Sequence, residues 1–445
     1  MRFPGRFRPS PRSAFAAVFV AVCVGTGSGH AGALEDYVRQ PDKSFNWKRT
    51  RQTQLKEGGT LTHLELISQT WRGQFWSHHL LVYRPPVVRH PDAALLVISG
   101  GGYNAPAEKE VLLFQPAADR AGALLAFLNK VPNQPLYDGR TEDALIAYTF
   151  NEFLKSGDTT WPALFPMVKS AVRAMDTVSA FTRAEWDQPV KRIAVTGASK
   201  RGWTTWLTAA VDRRVFGIAP MVIDVLNMRD QLLWAEKVYG RQSEEISDYT
   251  QLNLHLRMDD PPMKKLRSWV DPYSYRARYT LPKLLLLGTN DAYWTVDSLR
   301  HYWSDLPEPK LVFQTPNAGH DLAGGRDAVL TLAAWLQMLL DQQPLPRIEW
   351  RITETPAGAT MRATTTVPAR RALAWLADSA DRDFRDERWS SRDLPLTSDG
   401  REAELAVARP GAGYRAYLIE FVFAASTGEE YRLSTEARVT PDTQP

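Results

Sequence analysis

The chain has 445 residues, of which 44% are hydrophobic, and it carries 54 basic and 50 acidic side chains. This length and apolar content exclude a disordered chain and favour one large domain with a smaller one beside it. Four of the basic residues and none of the acidic ones lie in residues 1–33, so the rest of the chain has 50 of each sign. It lacks the positive charge that nucleic-acid binding requires.

The first predicted element is a secretory signal peptide over residues 1–33. Arginines precede the apolar run "AFAAVFVAVCV" at 14–24, and small residues at Ala31 and Ala33 suit a cleavage site. The apolar run is too short to span a bilayer, and no later segment reaches the length of a transmembrane helix. We therefore expect a periplasmic or secreted protein without a transmembrane segment. The only cysteine, Cys23, lies in this leader, so no disulfide is expected after cleavage.

Short apolar runs then alternate with longer amphipathic segments from about residue 82 to residue 340. Continuous apolar character indicates strands that are buried on both faces, as in a parallel sheet covered by helices. The pattern predicts an α/β domain with a mostly parallel sheet over 34–343. The apolar runs are 93–99, 122–128, 192–197, 218–226, 282–288 and 309–314, and the helical segments include 141–158, 162–186 and 326–343.

A long segment at about 228–278 interrupts this alternation. It is rich in tryptophan, tyrosine, methionine and charge, and it lies between two predicted strands. Excursions of this length are typical of a cap or lid over a site.

The pattern of polar and apolar residues changes again after about residue 344. Segments such as "RIEWRITE" and "YRAYLIEFVFA" alternate polar with apolar residues and are separated by Gly, Pro, Ser and Asp. This pattern predicts antiparallel strands, and we expect a β-sandwich of the immunoglobulin or fibronectin kind over 344–445.

The segment "TGASKRGW" places Ser199 at the end of a predicted strand and the start of a predicted helix. A nucleophilic serine at such a sharp turn has small residues two positions away on each side. Gly197 satisfies this on one side, but Arg201 occupies the other, and the second glycine is displaced to Gly202. On this motif alone, a nucleophile and a helix cap both remain open.

The segment "SGGGYN" at 99–104 follows another predicted strand. Glycines there allow backbone N–H groups to converge on a developing oxyanion, together with the N–H of the residue after the nucleophile. We therefore predict an oxyanion hole formed by Gly101, Gly102 and Lys200. The alternative is an ordinary glycine turn.

An acid and a histidine follow the last two predicted strands. Asp291 comes directly after one strand in "LLLLGTNDAYW", and His320 comes after the final strand in "TPNAGHDL". The order Ser199, Asp291, His320 is the order of an α/β-hydrolase triad. Asp224, after the preceding strand, is the alternative acid.

Other residues are weaker candidates. Tyr103, Trp234 and Trp269 are possible substrate contacts, although the tryptophans suit core packing equally well. Lys200 and Arg201 could meet an anionic substrate, or they could be surface charges at the start of a helix.

The sequence indicates neither a metal nor a cofactor. The adjacent His78 and His79 point to opposite faces of a strand and cannot chelate one ion together. The triple glycine lacks the G-x-G-x-x-G spacing of a dinucleotide site.

Several long and unusual strings resemble the PhoPQ-activated pathogenicity-related protein family. The resemblance implies an α/β-hydrolase fold, export in bacteria, and a link to a regulon of virulence and antimicrobial-peptide resistance. The displaced glycine also resembles the serine motif of glucuronoyl esterases. The strings are "DGRTEDALIAYTF", "WPALFPMVKSAVRAMDTV", "GASKRGWTTWL", "DPYSYRARYTLPKLLLLGTNDAYW" and "PNAGH".

The residues and the resemblance together predict an exported serine hydrolase. We favour an esterase acting on a small-molecule or glycan ester, with peptidase or amidase activity as a variant that uses the same groups. The alternative from another class is an exported binding or signalling protein that retains the hydrolase scaffold without turnover.

Overall fold

The computed structural model describes residues 32–102 and 108–443. Most of the predicted signal peptide and Tyr103 lie outside the described residues. Within those ranges, no helix has the length and apolar character that crossing a bilayer requires.

A nine-stranded sheet forms the centre of the fold, with strand order β1-β2-β3-β5-β4-β6-β7-β8-β9. The neighbouring pairs that involve the first three strands are antiparallel, and all later pairs are parallel. The strands are β1 (Asn46–Gln54), β2 (Thr60–Trp71), β3 (Gln74–Arg84), β4 (Ala93–Ile98), β5 (Leu124–Leu128), β6 (Arg192–Ala198), β7 (Val215–Met221), β8 (Lys283–Gly288) and β9 (Lys310–Thr315).

Helices cover both faces of this sheet, which explains the continuous apolar runs. Every residue of β4 and of β5 is buried. Two separate hydrophobic clusters lie on the two faces, one containing residues of α5 and α6 and the other residues of α3 and α10. The helices are α1 (Ala33–Arg39), α2 (Glu108–Leu112), α3 (Gln115–Ala121), α4 (Glu142–Ser156), α5 (Leu164–Trp186), α6 (Lys200–Val211), α7 (Met228–Tyr239), α8 (Ser247–Thr250), α9 (Pro261–Val270) and α10 (Arg326–Leu340).

The predicted α/β class is confirmed, and one predicted strand is displaced. The apolar run 218–226 was expected to be a strand throughout, but β7 ends at Met221. Val222 has a positive φ of 43°, and the chain leaves the sheet there. Residues 222–226 remain buried, and Ile223, Val225 and Leu226 pack in one hydrophobic cluster with side chains of the segment 228–278. That segment contains α7, α8 and α9 between β7 and β8.

The C-terminal part is antiparallel β, as predicted. It forms a three-stranded sheet, β10-β11-β14, and a five-stranded sheet in which β13, β12, β15 and β16 are adjacent and β17 pairs with β15. Residues of β15, such as Phe421, share one hydrophobic cluster with Leu336 of α10. A domain boundary near residue 344 stays a prediction. The strands are β10 (Ile348–Thr355), β11 (Gly358–Thr365), β12 (Arg371–Ser379), β13 (Ser390–Leu394), β14 (Glu402–Ala408), β15 (Tyr414–Ala424), β16 (Glu430–Ser434) and β17 (Arg438–Thr440).

Candidate active site

Ser199 occupies a strained turn between β6 and α6. Its backbone has φ 58° and ψ −128°, a conformation that a residue with a side chain rarely adopts. Its N–H donates to the Met221 carbonyl at 2.9 Å, and its own carbonyl accepts from the Trp203 N–H at 3.0 Å. The Ser199 side chain accepts no hydrogen bond from the start of α6. The helix-cap interpretation therefore does not account for this serine.

The displaced glycine has a packing reason. A Cβ on Gly202 would lie 2.9 Å from the Gly197 carbonyl oxygen and 3.0 Å from the Met221 carbonyl oxygen. A Cβ on Gly197 would in turn lie 2.9 Å from the backbone of Arg201. The close approach of α6 to the ends of β6 and β7 therefore requires glycine at 197 and 202, and position 201 tolerates a large side chain.

The Arg201 side chain forms hydrogen bonds with other residues of the protein. Its two terminal nitrogens donate to the Glu142 carboxylate at 2.7 and 2.6 Å, and its Nε donates to the Val131 carbonyl at 2.6 Å. The side chain is buried. Each of the three guanidinium nitrogens thus has a protein acceptor, and the residue ties α6 to the start of α4. A contact of Arg201 with substrate stays a prediction.

Lys200 completes the same ion-pair cluster. Its ammonium lies 3.0 Å from Glu142 and 2.9 Å from Asp143. Burial by itself raises the pKa of Glu142, but the hydrogen bond and charge of Arg201, together with the charge of Lys200, outweigh burial and lower that pKa to about 2. Two acids and two bases therefore neutralise one another beside the serine.

Hydrogen bonds from the segment after β5 hold the glycine loop that follows β4. The Gly100 carbonyl accepts hydrogen bonds from the Asn129 side-chain amide at 2.5 Å and from the Lys130 N–H at 2.7 Å. Gly101 has φ +99°, and a Cβ there would lie 2.7 Å from the Asn129 amide nitrogen. Gly101 and Gly102 are exposed. The N–H of Lys200, the first residue of α6, has no acceptor within its own helix.

Asp291 and His320 lie together at the ends of β8 and β9. The His320 Nδ1 is 2.9 Å from Oδ2 and 3.1 Å from Oδ1 of Asp291. The Tyr293 N–H donates to Asp291 Oδ1 at 3.0 Å, and the Tyr293 ring lies over the imidazole with centroids 4.4 Å apart. The structure thus brings the predicted acid and histidine together and fixes the ring on one side.

The outer nitrogen of this histidine, His320 Nε2, is buried and has no hydrogen-bond partner among the residues that the structure describes. Ser199 is therefore not hydrogen-bonded to it in this state. Catalytic hydrogen bonds are often long in the absence of substrate and shorten when substrate binds.

Asp224, the alternative acid, has a different environment. It is buried three residues after the end of β7, and its Oδ1 has no partner among the described residues. Burial raises the pKa of Asp224 to about 7, and the negative charge of Asp291 acts in the same direction. The carboxylate that contacts His320 is that of Asp291.

A cavity of about 110 Å³ lies beside Ser199, beneath the segment 228–278. Its walls are mainly apolar. Neither Trp234 nor Trp269 lines it: the Trp234 Nε1 donates to Asp297, and Trp269 packs on Phe153 and Phe165. These two predicted substrate contacts are therefore not part of the cavity wall.

Sequence patterns did not single out Asp143, Tyr249 and Tyr293, which do line this cavity. The Tyr249 hydroxyl donates to Asp143 at 3.0 Å. Tyr293 carried one usable signal, because it follows the predicted acid by two positions. Among residues 32–102 and 108–443 there is no group of three or more His, Cys, Asp or Glu arranged to hold a metal.

The strand order, the serine at a strained turn after β6, and the acid and histidine after β8 and β9 define an α/β-hydrolase fold. The predicted fold is thus confirmed. The chain belongs to the PhoPQ-activated pathogenicity-related protein family, whose model matches residues 34–385. It is also 31% identical over 454 residues to autocrine proliferation repressor protein A of Dictyostelium discoideum, covering 93% of this chain and 91% of that protein.

Two solved structures illustrate how distant the structural likeness is. Acetyl xylan esterase 1 from Thermoanaerobacterium sp. JW/SL YS485 is 16% identical with a TM-score of 0.47, covering 68% of this chain and 91% of its own. Acetyl xylan esterase from Paenibacillus sp. R4 is 14% identical with a TM-score of 0.48, covering 70% and 92%. A likeness this distant carries no information on reaction or substrate.

The ion pairs of Glu142 with Lys200 and Arg201 make the stability of the fold depend on pH. The pKa of Glu142 in the folded chain lies below its unfolded value, so its stabilising contribution is complete above the unfolded value and is lost as the pH falls toward about 2. We expect the difference in unfolding free energy between wild type and Glu142→Gln to be constant near neutral pH and to shrink from about pH 5 downward. Urea unfolding at a series of pH values measures it. Glu65→Gln, in an exposed pair with Lys48, is the matched control, and a difference that stays constant down to about pH 3 would contradict the expectation.

Proposed function

We propose that the protein is a serine hydrolase that cleaves carboxylic esters through an acyl-enzyme on Ser199. The observation that carries the proposal is the strained turn that places Ser199 at the wall of a cavity, on the same sheet edge as the hydrogen-bonded pair of Asp291 and His320. Strain of this kind persists only where surrounding structure enforces it, and it is common at functional positions.

The reaction proceeds in two halves. His320 Nε2 accepts the hydroxyl proton of Ser199 as the serine oxygen attacks the ester carbonyl carbon, and it then gives that proton to the departing alkoxide. In the second half, His320 takes a proton from water, the hydroxide attacks the acyl carbon, and the proton returns to the serine oxygen as the acid leaves. Asp291 holds the imidazole orientation and stabilises its positive form.

The oxyanion formed in both halves requires donors. The N–H groups of Gly101, Gly102 and Lys200 are our candidates, because the first two belong to the loop after β4 and the third begins the helix after the nucleophile. The positive end of α6 favours negative charge at the same point. A peptidase or amidase would use the same groups, so a substrate panel must include amides.

The relative in Dictyostelium favours a second candidate. Its name describes a repressor of proliferation, which is a signalling role. An exported signalling or binding protein on the same scaffold would not require turnover. Export by way of residues 1–33, a periplasmic or secreted location, and a link to virulence or antimicrobial-peptide resistance remain part of the proposal.

The first test is covalent labelling of the serine. We expect a fluorophosphonate probe to modify Ser199 in the wild-type protein, and we expect Ser199→Ala to lose both labelling and hydrolysis of p-nitrophenyl esters, a fall of roughly 10⁶-fold. Peptide mass spectrometry locates the modification. Ser304→Ala, at an exposed serine, is the matched control and should label normally. A folded wild-type protein that neither labels nor hydrolyses any ester or amide would favour the signalling candidate.

The second test separates the two acids. We expect Asp291→Asn to lower kcat by roughly 10⁴-fold, because a neutral amide no longer fixes the tautomer or stabilises the imidazolium. Asp224→Asn replaces a group that is only partly ionised at neutral pH, so we expect a change of less than about tenfold. Steady-state kinetics on both variants decides the matter, and a larger loss in Asp224→Asn would transfer the acid role to that residue.

A further inference from the structure

The cavity beside Ser199 is walled by side chains from two parts of the chain. Phe150 of α4 and Trp203 of α6 belong to the α/β core, and Met228, Met263 and Leu266 come from the segment 228–278. These are large apolar side chains, and Leu266 is completely buried. A group that enters this space therefore gains by leaving water.

Asp143 and Lys200 pair with each other in the cavity wall, whereas the third charged residue there, Arg267, has no ion-pair partner among the described residues, and its Nε has no hydrogen-bond partner. Asp143 accepts a hydrogen bond from the Tyr249 hydroxyl and forms an ion pair with Lys200. Arg267 donates to the Met258 carbonyl at 3.0 Å. Because Asp143 and Lys200 cancel each other, the end of the cavity nearest the serine presents no net charge to a ligand.

The size of the cavity limits what fits. At about 110 Å³ it is smaller than an engineered apolar cavity of about 150 Å³ that binds benzene. The space therefore suits roughly four to six carbon atoms.

Resting on the proposed function, we propose that this cavity binds the acyl part of the substrate, and that this part is an uncharged, apolar group of about four to six carbons. The serine oxygen at the cavity wall then faces the ester carbonyl, and the alcohol part leaves on the side of the glycine loop. Acetyl esters would leave the cavity mostly empty, and long acyl chains would exceed it.

A series of p-nitrophenyl esters tests this inference with the full chain. We expect kcat/KM for butanoate and hexanoate to exceed that for acetate by roughly tenfold or more, and to fall again for dodecanoate. The anionic hemisuccinate should be a poor substrate. A flat profile, or a preference for acetate, dodecanoate or hemisuccinate, would overturn the inference.

A cavity-filling variant locates the effect. Ala235 lines the cavity from the half-buried side of α7. We expect Ala235→Phe to shift the optimum to acetate, and we expect the matched control Ala235→Ser to keep the wild-type optimum. Labelling of Ser199 distinguishes failure of the cavity assignment from failure of the hydrolase proposal. Protein that labels but lacks the expected acyl-chain preference overturns the cavity assignment alone. Protein that neither labels nor hydrolyses esters overturns both.

A second inference comes from a different set of contacts, those of the loop between β12 and β13, residues 380–389. Asn290 immediately precedes the acid Asp291, and its side-chain amide donates to the carbonyls of Phe384, Arg385 and Glu387 at 3.0, 3.3 and 2.7 Å. Three acceptors converge on one side chain, so this part of the turn after β8 is tied to the C-terminal strands.

The histidine side is tied to the same loop. Asn317 lies three positions before His320, and its side chain both donates to the Trp389 carbonyl at 3.0 Å and accepts from the Trp389 N–H at 2.8 Å. Phe384 and Trp389 are buried and pack with Val296. One loop thus contacts the segments that carry both members of the Asp291–His320 pair.

We infer that Asn290 and Asn317 are positioning residues that hold this pair in register through the 380–389 loop. This gives the C-terminal strands a role in the proposed reaction, although none of their residues lines the cavity beside Ser199. The expected effect on kcat rests on the proposed function. The expected effect on the geometry of the Asp291–His320 pair does not require the protein to be an active enzyme.

The test combines spectroscopy with kinetics. The Nδ1–H proton of His320 gives a downfield proton resonance when held by a carboxylate, and it is assigned by its loss in His320→Gln. In Asn290→Asp a carboxylate faces three carbonyl oxygens, so we expect that resonance to weaken or vanish and kcat to fall by roughly 10–100-fold with KM little changed. Asp386→Asn, at an exposed position on the same loop, contacts neither asparagine among the described hydrogen bonds and should leave both readouts unchanged.

Folding is checked by circular dichroism and thermal unfolding. Should Asn290→Asp fail to fold, Asn290→Ala removes the same contacts without adding charge, and the same loss of resonance is expected. A folded variant that keeps both the wild-type resonance and the wild-type kcat would overturn the positioning role. If the wild-type protein proves inactive and the Asn290 variant still loses the resonance, the hydrolase proposal is rejected, but the inference that Asn290 positions the Asp291–His320 pair is retained.

Discussion

The backbone conformation of Ser199 is the constraint on which the site depends. A non-glycine residue at φ 58° costs of the order of 1–3 kcal/mol and persists only where the surroundings enforce it. Here the hydrogen bond from the Ser199 N–H to Met221 fixes the turn to the end of β7, and glycine at 197 and 202 allows α6 to approach the sheet. The ion pair of Arg201 with Glu142 then anchors the first turn of that helix. The local strain is thus balanced by interactions outside the turn.

The same arrangement determines the electrostatics around the serine. Lys200 and Arg201 follow Ser199 directly, and in a polar cleft two cations there would attract anionic ligands. The acids at the start of α4 neutralise both of them, and the Arg201 side chain is buried as well. What remains at the serine is the partial positive charge of the N-terminus of α6 and an apolar cavity. In the proposed reaction, that combination favours a neutral substrate whose carbonyl oxygen becomes negative only in the transition state.

The strands of the sheet could be predicted from the sequence, because they depend on local patterns. The positions of Ser199, Asp291 and His320 after successive strands could be predicted for the same reason. Strands buried on both faces are continuous apolar runs, and Asp291 and His320 follow such runs directly. The limit of β7 was wrong because Ile223, Val225 and Leu226 are apolar for another reason, their packing with side chains of the segment 228–278. Trp234 and Trp269 do not line the cavity beside Ser199. Aromatic content alone does not distinguish a cavity wall from a core. The partnership of Arg201 with Glu142 joins positions 59 apart in the chain, and no local pattern encodes it.

Two buried carboxyl groups near the end of the sheet differ in what they can do, and the difference follows from their partners. Both carboxyl oxygens of the buried Asp291 have partners, because Oδ1 accepts from the Tyr293 N–H and both oxygens lie within hydrogen-bond distance of His320 Nδ1. Asp224 has a carboxyl oxygen without a partner, and burial raises its pKa to about 7. At neutral pH, Asp224 is therefore only partly ionised, which reduces the negative charge close to Asp291. In the proposed reaction, Asp291 is the carboxylate that contacts His320 and stabilises its positive form, and Asp224 does not share that contact.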